Sequence, residues 1–436
     1  MEMVKVNPGR RTGRVRIPSS KSLAHRALIC RALADESSQI LVDGLSADIR
    51  ATMDCLEGLG AEISFREGML KITPIRTDPA EKQDLQAVHL PCAESGSTLR
   101  FLLPVTGALG KEAVFSMEGR LSERPMEIFE QVLQEHGMKI RRNGRDLICS
   151  GQLQPGEYVL PGNISSQYIS GLLFALPLLP GSSRIRIETE LESADYVKLT
   201  EETLREAGII WEKTQDGYRI SGKQRYRIGA GKETARVEGD YSAAAFFLCA
   251  GAFSGQGITV HDLSADSRQG DRRILQELER FGARVEVQGS EVTVRKGQLK
   301  GIEIDGSMIP DILPVLSVVA AGAQGDTRIY HAARLRMKES DRIMSTCRML
   351  EALGADVREL PDSLLIHGTG ALTGGASVDP FRDHRIAMSA AIAACICKEP
   401  VTIRDAECVG KSYPDFWKDF SSLEMDQDRK DSQVKA

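Results

Sequence analysis

The stretch Ile17-Pro-Ser-Ser-Lys-Ser-Leu-Ala-His-Arg-Ala-Leu-Ile-Cys-Arg-Ala-Leu-Ala34 holds the pattern from which the fold is predicted. Pro18 ends the element before it, and the serines that follow are favourable N-cap residues for a helix. That helix is apolar on most sides, which predicts that it is buried. Its opening carries Lys21, Ser22 and Arg26 beside the free N–H groups of a helix start, a place that suits an anion.

The same kind of opening recurs five more times. Aligned on equivalent residues, the six copies are 75, 69, 76, 70 and 72 residues apart. Glycines that end amphipathic helices form a second series, with steps of 77, 71, 74 and 72 residues. Two series in phase predict repeated αβ modules. The later openings are Ser95–Thr98, Ser165–Gln167, Asp240–Ser242, Pro310–Asp311 and Asp383–Arg385, and the glycines are Gly60, Gly137, Gly208, Gly282 and Gly354.

The modules divide into two groups of three at a polar, β-like stretch near residue 236. We therefore predict an N-terminal lobe over residues 19–236 and a C-terminal lobe made of residues 1–18 and 237–425. The N-terminal strand is expected to pair within the second lobe, where the truncated sixth module lacks a strand. The charged residues 426–436 are predicted to be disordered. Ligand sites favour domain interfaces, so a cleft lined by the polar helix openings is expected.

Composition excludes several classes of protein. The 436 residues are 42% hydrophobic and 27% charged, as in globular proteins, and the net charge of −5 gives no basic signature for nucleic acid. The nine cysteines are scattered without a Cys-x-x-Cys pair, which favours reduced thiols over disulfides or a metal site. The longest uncharged stretch, Tyr158–Ser183, is interrupted by prolines and fails as a membrane span. A cytoplasmic protein without nucleic-acid or membrane partners is expected.

The helix openings are basic although the chain as a whole is acidic. Basic groups among few acids describe a site for small, multiply charged anions such as phosphates and carboxylates, which arginine can bind with two hydrogen bonds. The basic residues at or beside these openings are Lys21, Arg26, Arg124, Lys338, Arg342, Arg385 and Lys411.

These motifs together resemble the enolpyruvyl transferases, and within that family the branch that acts on shikimate 3-phosphate. The resemblance covers about residues 5 to 420 and implies an α/β fold: a two-lobed inside-out α/β barrel of six βαβαββ modules, three per lobe. This agrees with the repeat count. The motifs are Ser19–Arg26, Arg124-Pro125, Ser165–Gln167, Ile309–Asp311, Lys338–Arg342, Asp383–Arg385 and Lys411–Asp415.

The resemblance implies transfer of the enolpyruvyl group of phosphoenolpyruvate to the 5-hydroxyl of shikimate 3-phosphate, in aromatic amino acid biosynthesis, without a metal or organic cofactor. Asp311 is implied to accept the hydroxyl proton, Glu339 to handle the C3 proton, and Lys21 to touch both substrates. The implied shikimate 3-phosphate contacts are Lys21, Ser22, Arg26, Ser165, Ser166, Gln167, Ser193, Tyr196, Asp311 and Lys338. The implied phosphoenolpyruvate contacts are Lys21, Gly96, Arg124, Gln167, Arg342, Arg385 and Lys411.

The residues alone leave simpler roles open. Asp311 could be only a helix cap, residues 338–342 an exposed ion-pair segment, and residues 383–385 a capped helix start. His384 and Arg100 are left out of the implied site, and a structural ion pair is an equal alternative for Arg100.

The chain also departs from the family pattern. Glu94 and Ser97 stand where many members have Asn and Thr, and Arg334 stands where Asn is frequent. Because the 94–97 loop is implied to border the phosphoenolpyruvate pocket, we predict that it alters sensitivity to glyphosate, an inhibitor that binds there.

Three other functions are alternatives to this one. The sister enzyme that uses UDP-N-acetylglucosamine has a reactive cysteine before its Arg-Pro pair, whereas residues 93–148 here contain no cysteine. An RNA 3′-phosphate cyclase would need a basic nucleic-acid surface. A non-catalytic paralogue that only binds anions would differ in releasing no phosphate from the two substrates. A monomer is expected.

Overall fold

A computed structural model describes residues 2–76, 87–229 and 232–426, which form two compact units. Unit A contains residues 19–238 and 268–270, and unit B contains residues 2–18, 239–267 and 271–426. The first predicted lobe boundary, between residues 18 and 19, coincides with the boundary between the units. The second was predicted after residue 236, two residues before the observed boundary after residue 238. The return of residues 268–270 to unit A was not predicted. The predicted disordered tail lies, from residue 427 onward, outside the described residues.

Two short strands begin the chain, β1 (Val4–Val6) and β2 (Arg11–Arg16), and both belong to unit B. Unit A follows with the helices α1 (Lys21–Ala32), α2 (Ala47–Gly58), α3 (Gly96–Ala108), α4 (Glu127–Glu135), α5 (Ser166–Ala175) and α6 (Ala194–Glu206). Its strands are β3 (Ser38–Leu41), β4 (Glu62–Arg66), β5 (Met69–Thr73), β6 (Val88–Ala93), β7 (Ala113–Met117), β8 (Lys139–Asn143), β9 (Asp146–Ser150), β10 (Glu157–Leu160), β11 (Ser183–Ile187), β12 (Trp211–Thr214), β13 (Gly217–Ile220) and β14 (Thr234–Arg236).

The described strands of unit A form three four-stranded sheets, ordered β14-β3-β5-β4, β6-β7-β9-β8 and β10-β11-β13-β12. In each sheet the first two strands are parallel and the remaining pairs are antiparallel. The second and third sheets, with their helices, each follow the order βαβαββ. The first module takes its edge strand, β14, from the end of the unit's sequence.

Unit B repeats this plan. Its helices are α7 (Tyr241–Gly251), α8 (Ile274–Phe281), α9 (Leu313–Gly322), α10 (Arg342–Ala352), α11 (His384–Ala393) and α12 (Phe416–Ser422). Its further strands are β15 (Ile258–His261), β16 (Arg284–Gln288), β17 (Glu291–Arg295), β18 (Glu303–Asp305), β19 (Gln324–Tyr330), β20 (Asp356–Glu359), β21 (Leu364–Thr369), β22 (Ser377–Val378), β23 (Val401–Ile403) and β24 (Glu424–Met425).

The described strands of unit B form sheets ordered β16-β17-β15-β2-β24, β18-β19-β21-β20 and β1-β23-β22. Strand β1 pairs antiparallel with β23 of the sixth module, and β2 pairs parallel with β15 of the fourth. The prediction that the N-terminal strand pairs in the second half of the molecule, beside the truncated sixth module, is therefore confirmed.

The helices that follow the repeated openings are buried because nearly all their residues are apolar. Helices such as α7 and α9 are apolar on nearly all sides, and both lie in the hydrophobic core of unit B. The amphipathic helices end one or two residues before the five predicted glycines, whose φ angles lie between 73° and 104°, a region that favours glycine. The α/β fold of repeated modules is confirmed. The sheets in the described part of the chain are small and open, and none of them closes on itself. No described helix has the length and apolar character needed to span a bilayer.

Candidate active site

The three buried helices of unit A begin with polar residues, as predicted. Ser20, Ser95 and Ser165 occupy the N-cap positions of α1, α3 and α5. The side chains of Ser95 and Ser165 cap their helices by accepting hydrogen bonds from the N–H groups of Thr98 and Gln167. The Ser20 side chain makes no such bond. The predicted residues Lys21, Ser22, Gly96 and Ser166 therefore lie in first helical turns, where anion-binding N–H groups are concentrated.

Lys21 and Arg26 are both anchored to neighbouring helices. Lys21 Nζ lies 2.8 Å from a carboxylate oxygen of Asp48, in the first turn of α2. Arg26 is 2% exposed and donates from three guanidinium nitrogens, to Ser22 O, Thr200 Oγ1 and Tyr196 O. Burial lowers the pKa of Arg26 to about 10, so the group stays charged near neutral pH. Arg26 thus ties α1 to α6 through the backbone of Tyr196, another predicted substrate contact.

A compact cationic cluster surrounds the start of α3. A methyl group built on Gly96 would lie 2.5 Å from Arg100 Nη1 and 2.8 Å from Arg124 Nη1, so both guanidinium groups press against this glycine. Gln167 connects α5 to the cluster, because its amide nitrogen donates to Ser97 Oγ over 2.9 Å and its amide oxygen accepts from Arg100 over 3.2 Å. The structure therefore brings together three predicted residues and adds Arg100, which the sequence left undecided although it lies one turn after Gly96.

The predicted contacts on α6 have a distinct backbone. Ser193 is the N-cap residue of α6, has a left-handed conformation with φ of 54°, and makes no side-chain cap. Its carbonyl oxygen instead accepts a hydrogen bond from the N–H of Tyr196. A strained residue of this kind at a helix start is more frequent at functional sites than elsewhere.

In unit B, a single buried guanidinium group binds three carboxylates. Arg342 is 1% exposed; its Nη1 donates to Asp311 over 2.7 Å, its Nη2 to Glu339 over 2.8 Å, and its Nε to Asp383 over 2.8 Å. The residues between 338 and 342 are therefore not an exposed ion-pair segment. Asp311 is not a helix cap either, since α9 begins at Leu313 without a side-chain cap. Asp383 does cap α11, by accepting from the N–H of Arg385, and holds Arg342 as well.

Two further cations lie beside Asp311. Lys338 Nζ is 3.6 Å from one oxygen of this carboxylate, and Arg385 Nη2 is 3.6 Å from the other. Burial alone would raise the pKa of Asp311, but the charges of Lys338, Arg385 and Arg342 outweigh it and hold the pKa well below its usual range. Burial lowers the pKa of Lys338 to about 8, against the attraction of Asp311. Asp311 is therefore ionised and surrounded by positive charge.

Asp271 is a further carboxyl group in this region of unit B, and the sequence did not single it out. It is 1% exposed and accepts a hydrogen bond from the hydroxyl of Ser242, at the start of α7. Burial and the negative charge of Asp311 raise the pKa of Asp271 to about 7, while Arg385 acts in the opposite direction. Only the three-dimensional arrangement reveals this group, because the sequence around residue 271 is polar and has no helix-opening pattern.

The structure also shows the surroundings of Lys411, His384 and Glu94. Lys411 is the half-buried last residue of a short 3₁₀ helix that packs against α11. His384 is buried at the start of α11, with Nδ1 3.7 Å from Asp383. The Glu94 carboxylate lies directly against the backbone of Gly119, which has a φ of 51°.

The described cysteines are mostly buried. Eight of the nine cysteines are buried, and burial raises the pKa of the Cys92 thiol well above its usual value. Such a thiol is a poor nucleophile. Within residues 2–76, 87–229 and 232–426, no three His, Cys, Asp or Glu side chains are placed so that they could hold a metal ion.

Comparison with known proteins places the chain in a family. A family model described as EPSP synthase (3-phosphoshikimate 1-carboxyvinyltransferase) matches residues 6–420. The chain belongs to the EPSP synthase family. Family relatives named 3-phosphoshikimate 1-carboxyvinyltransferase include one from Clostridium perfringens, 44% identical over 427 residues, and one from Clostridium novyi, 40% identical over 431 residues. Each alignment covers 97% of this chain and 98% of the relative.

Solved structures agree with membership of the EPSP synthase family. The EPSP synthase of Acinetobacter baumannii superposes with a TM-score of 0.77 and 26% identity, covering 98% of this chain and 99% of that one. The enolpyruvyl transferase NikO of Streptomyces tendae has a TM-score of 0.76 at 18% identity, with 97% of both chains covered, and supports the fold alone. The enolpyruvyl transferase fold implied by the motifs is therefore confirmed, with open sheets rather than a closed barrel in the described residues.

Proposed function

We propose that this protein transfers the enolpyruvyl group of phosphoenolpyruvate to the 5-hydroxyl of shikimate 3-phosphate and releases phosphate. The observation that carries the proposal is the buried Arg342, which holds the two carboxylates with implied proton-transfer roles, Asp311 and Glu339. Membership of the EPSP synthase family supports the choice of both substrates.

Phosphoenolpyruvate carries a phosphate and a carboxylate, and the cluster at the start of α3 suits one of these groups. Gly96 lacks a side chain, so backbone N–H groups are accessible to an oxyanion beside the guanidinium groups of Arg124 and Arg100. Gln167 supplies a neutral donor that is held in place by Ser97. We propose Gly96, Arg124 and Gln167 as donor contacts, and Lys21, Arg342, Arg385 and Lys411 as the other cations of the donor site.

Shikimate 3-phosphate requires contacts for one phosphate and for ring hydroxyl groups. The openings of α1, α5 and α6 in unit A offer hydroxyl groups and backbone N–H groups that can form hydrogen bonds with a phosphate and with ring hydroxyl groups. Arg26 uses three of its roughly five N–H donors within the protein, so it can orient α1 and still donate to a ligand. The proposed acceptor contacts are Lys21, Ser22, Arg26, Ser165, Ser166, Gln167, Ser193, Tyr196, Asp311 and Lys338.

The reaction adds one bond and then breaks another. The 5-hydroxyl oxygen bonds to C2 of phosphoenolpyruvate as Asp311 takes the hydroxyl proton and Glu339 delivers a proton to C3. A tetrahedral ketal phosphate results. The C2–O bond to phosphate then breaks as Glu339 takes back a proton from the C3 methyl group, which restores the double bond, and the proton held by Asp311 leaves with the phosphate. Lys21 is proposed to touch both substrates and to relay a proton.

The positive charge around Asp311 makes the pKa of this proposed base depend on whether the substrates are bound. In the free protein, three cations keep the pKa of Asp311 low, which makes it a weak base. Substrate phosphate and carboxylate groups bound near Lys338, Arg342 and Arg385 would neutralise part of that charge. The pKa of Asp311 would then rise toward the working pH, where a general base is most effective. Substrate binding therefore prepares the proton acceptor.

The decisive experiment measures phosphate release from phosphoenolpyruvate with shikimate 3-phosphate or UDP-N-acetylglucosamine as acceptor. Release is expected only with shikimate 3-phosphate, and Asp311→Asn should lower kcat by about 10²–10⁴-fold. Asp326→Asn, at an exposed aspartate, is the matched control and should keep full activity. Release with the sugar nucleotide alone would refute the proposal, and release with neither acceptor would favour a paralogue that only binds anions. The cytoplasmic location and monomeric state stay predictions.

A further inference from the structure

A buried chain of hydrogen bonds crosses three helices of unit A. His25 Nδ1 on α1 lies 2.7 Å from Thr52 Oγ1 on α2, and Thr52 Oγ1 lies 2.6 Å from Thr98 Oγ1 on α3. Thr98 Oγ1 then donates to Ser95 Oγ over 2.7 Å. All four side chains are fully buried. We name His25, Thr52, Thr98 and Ser95 the helix relay.

Each hydroxyl group of the helix relay has only one proton to donate, which determines the donor and the acceptor in every hydrogen bond of the relay. A hydroxyl group has one proton to donate, and Thr98 gives its proton to Ser95. Thr98 must therefore accept from Thr52, and Thr52 must accept from the Nδ1–H of His25. Burial lowers the pKa of His25 to about 3, so the ring is neutral and its Nε2 carries no proton. That nitrogen has no hydrogen-bond partner among the described residues.

The two ends of the helix relay lie at proposed substrate contacts. His25 stands next to Arg26 and one turn after Lys21, on the helix proposed to bind shikimate 3-phosphate. Ser95 caps α3 immediately before Gly96, at the proposed donor contact. None of the four relay residues is itself in the proposed set of contacts.

A second link runs parallel to the helix relay between α1 and α2. Lys21 pairs with Asp48, and His25 pairs with Thr52. The two pairs lie four residues apart on both helices, so α1 and α2 are joined at two positions one turn apart. If Lys21 turned from Asp48 toward a substrate anion, the Lys21–Asp48 link would weaken. The helix relay would remain as a polar connection from α1 through α2 to the start of α3.

We infer that His25, Thr52 and Thr98 are positioning residues that couple the acceptor-binding turn of α1 to the donor-binding start of α3. Binding of either substrate then strengthens binding of the other by the same factor, as linkage requires. This inference rests on the proposed function, because it takes the ligands of both helix openings from it.

The test measures equilibrium binding of shikimate 3-phosphate with and without saturating glyphosate, which here probes the donor site. The ratio of the two dissociation constants is the coupling factor. Thr52→Val and Thr98→Val keep the side-chain shape but remove a relay hydroxyl, and each should lower the coupling factor at least about threefold. Thr52→Ser restores the hydroxyl and should restore the coupling.

Thr106→Val is the matched control. Thr106 is a buried threonine on the same helix, and its hydroxyl donates only to Leu102 O within α3. This change should lower thermal stability without altering the coupling factor. Unchanged coupling in both folded relay variants, or an equal loss in Thr106→Val, would overturn the inference while leaving the proposed function intact. A wild-type protein that binds neither ligand would overturn the proposed function and this inference together.

Discussion

Gly96→Ala would show whether the start of α3 needs a residue without a side chain. The added methyl group would lie 2.5 Å from Arg100 Nη1 and 2.8 Å from Arg124 Nη1, whereas ordinary contact begins near 3.4 Å. The two guanidinium groups would have to withdraw by about 0.9 Å and about 0.6 Å. Because both groups lie where phosphoenolpyruvate is proposed to bind, the main loss should be in affinity for this substrate.

The size of that loss follows from the bonds at risk. One hydrogen bond to a charged group contributes about 1.5–3 kcal/mol, which corresponds to about 10- to 100-fold in an equilibrium constant. We therefore expect KM for phosphoenolpyruvate to rise about 10- to 100-fold in Gly96→Ala. KM for shikimate 3-phosphate should change less than KM for phosphoenolpyruvate, because Lys21 and Ser22 are not displaced, although Gln167, a proposed contact of both substrates, is bonded to the displaced Arg100.

Initial rates of phosphate release, with each substrate varied in turn, measure both constants. Gly107→Ala in the same helix is the matched control, because its methyl group would crowd the flexible side chain of Met138 far from the helix start. It should lower thermal stability and leave both KM values near those of the wild type. An unchanged KM for phosphoenolpyruvate in Gly96→Ala, or an equal rise in Gly107→Ala, would refute the reasoning.

Three further predictions concern buried charge and the donor loop. Arg342→Met leaves the buried Asp383 and the part-buried Asp311 and Glu339 without their shared cation and should lower the free energy of unfolding by about 3–5 kcal/mol in denaturant titrations. Arg348→Met, at an exposed ion pair, should cost less than about 1 kcal/mol, and equal losses would contradict the argument. The pKa of Asp271 is about 7 in the folded protein and has its ordinary, lower value in the unfolded chain. Between these two values the folded state binds one proton more than the unfolded state, so the free energy of unfolding falls as pH rises through this range. Asp271→Asn should therefore gain melting temperature relative to the wild type between pH 5 and pH 8, and a difference that does not vary with pH would contradict this. Glu94→Asn should change inhibition by glyphosate, and identical inhibition curves for the two proteins would exclude a role for the Glu94 side chain.

Local pattern in the sequence determined much of this molecule. Alternating and all-apolar stretches, serine and aspartate caps and five glycines with positive φ are short-range signals, and each repeats with the module. The order of the modules, the buried helix openings and the pairing of the N-terminal strands in unit B could therefore be predicted. The candidate residues could be named as well, because they stand at these openings or in motifs that resemble the family.

The electrostatic state and the partners of those residues were decided only by the tertiary structure. Arg342 meets Asp311 and Asp383 across 31 and 41 residues of sequence, and these contacts exclude the exposed ion-pair alternative. Asp271 acquires its raised pKa, and His25 its place in the helix relay, from residues that no local pattern connects to them. Periodicity records which side of a helix or strand is buried, whereas a hydrogen bond or a pKa depends on distances of a few ångströms between elements, which exist only once those elements have packed.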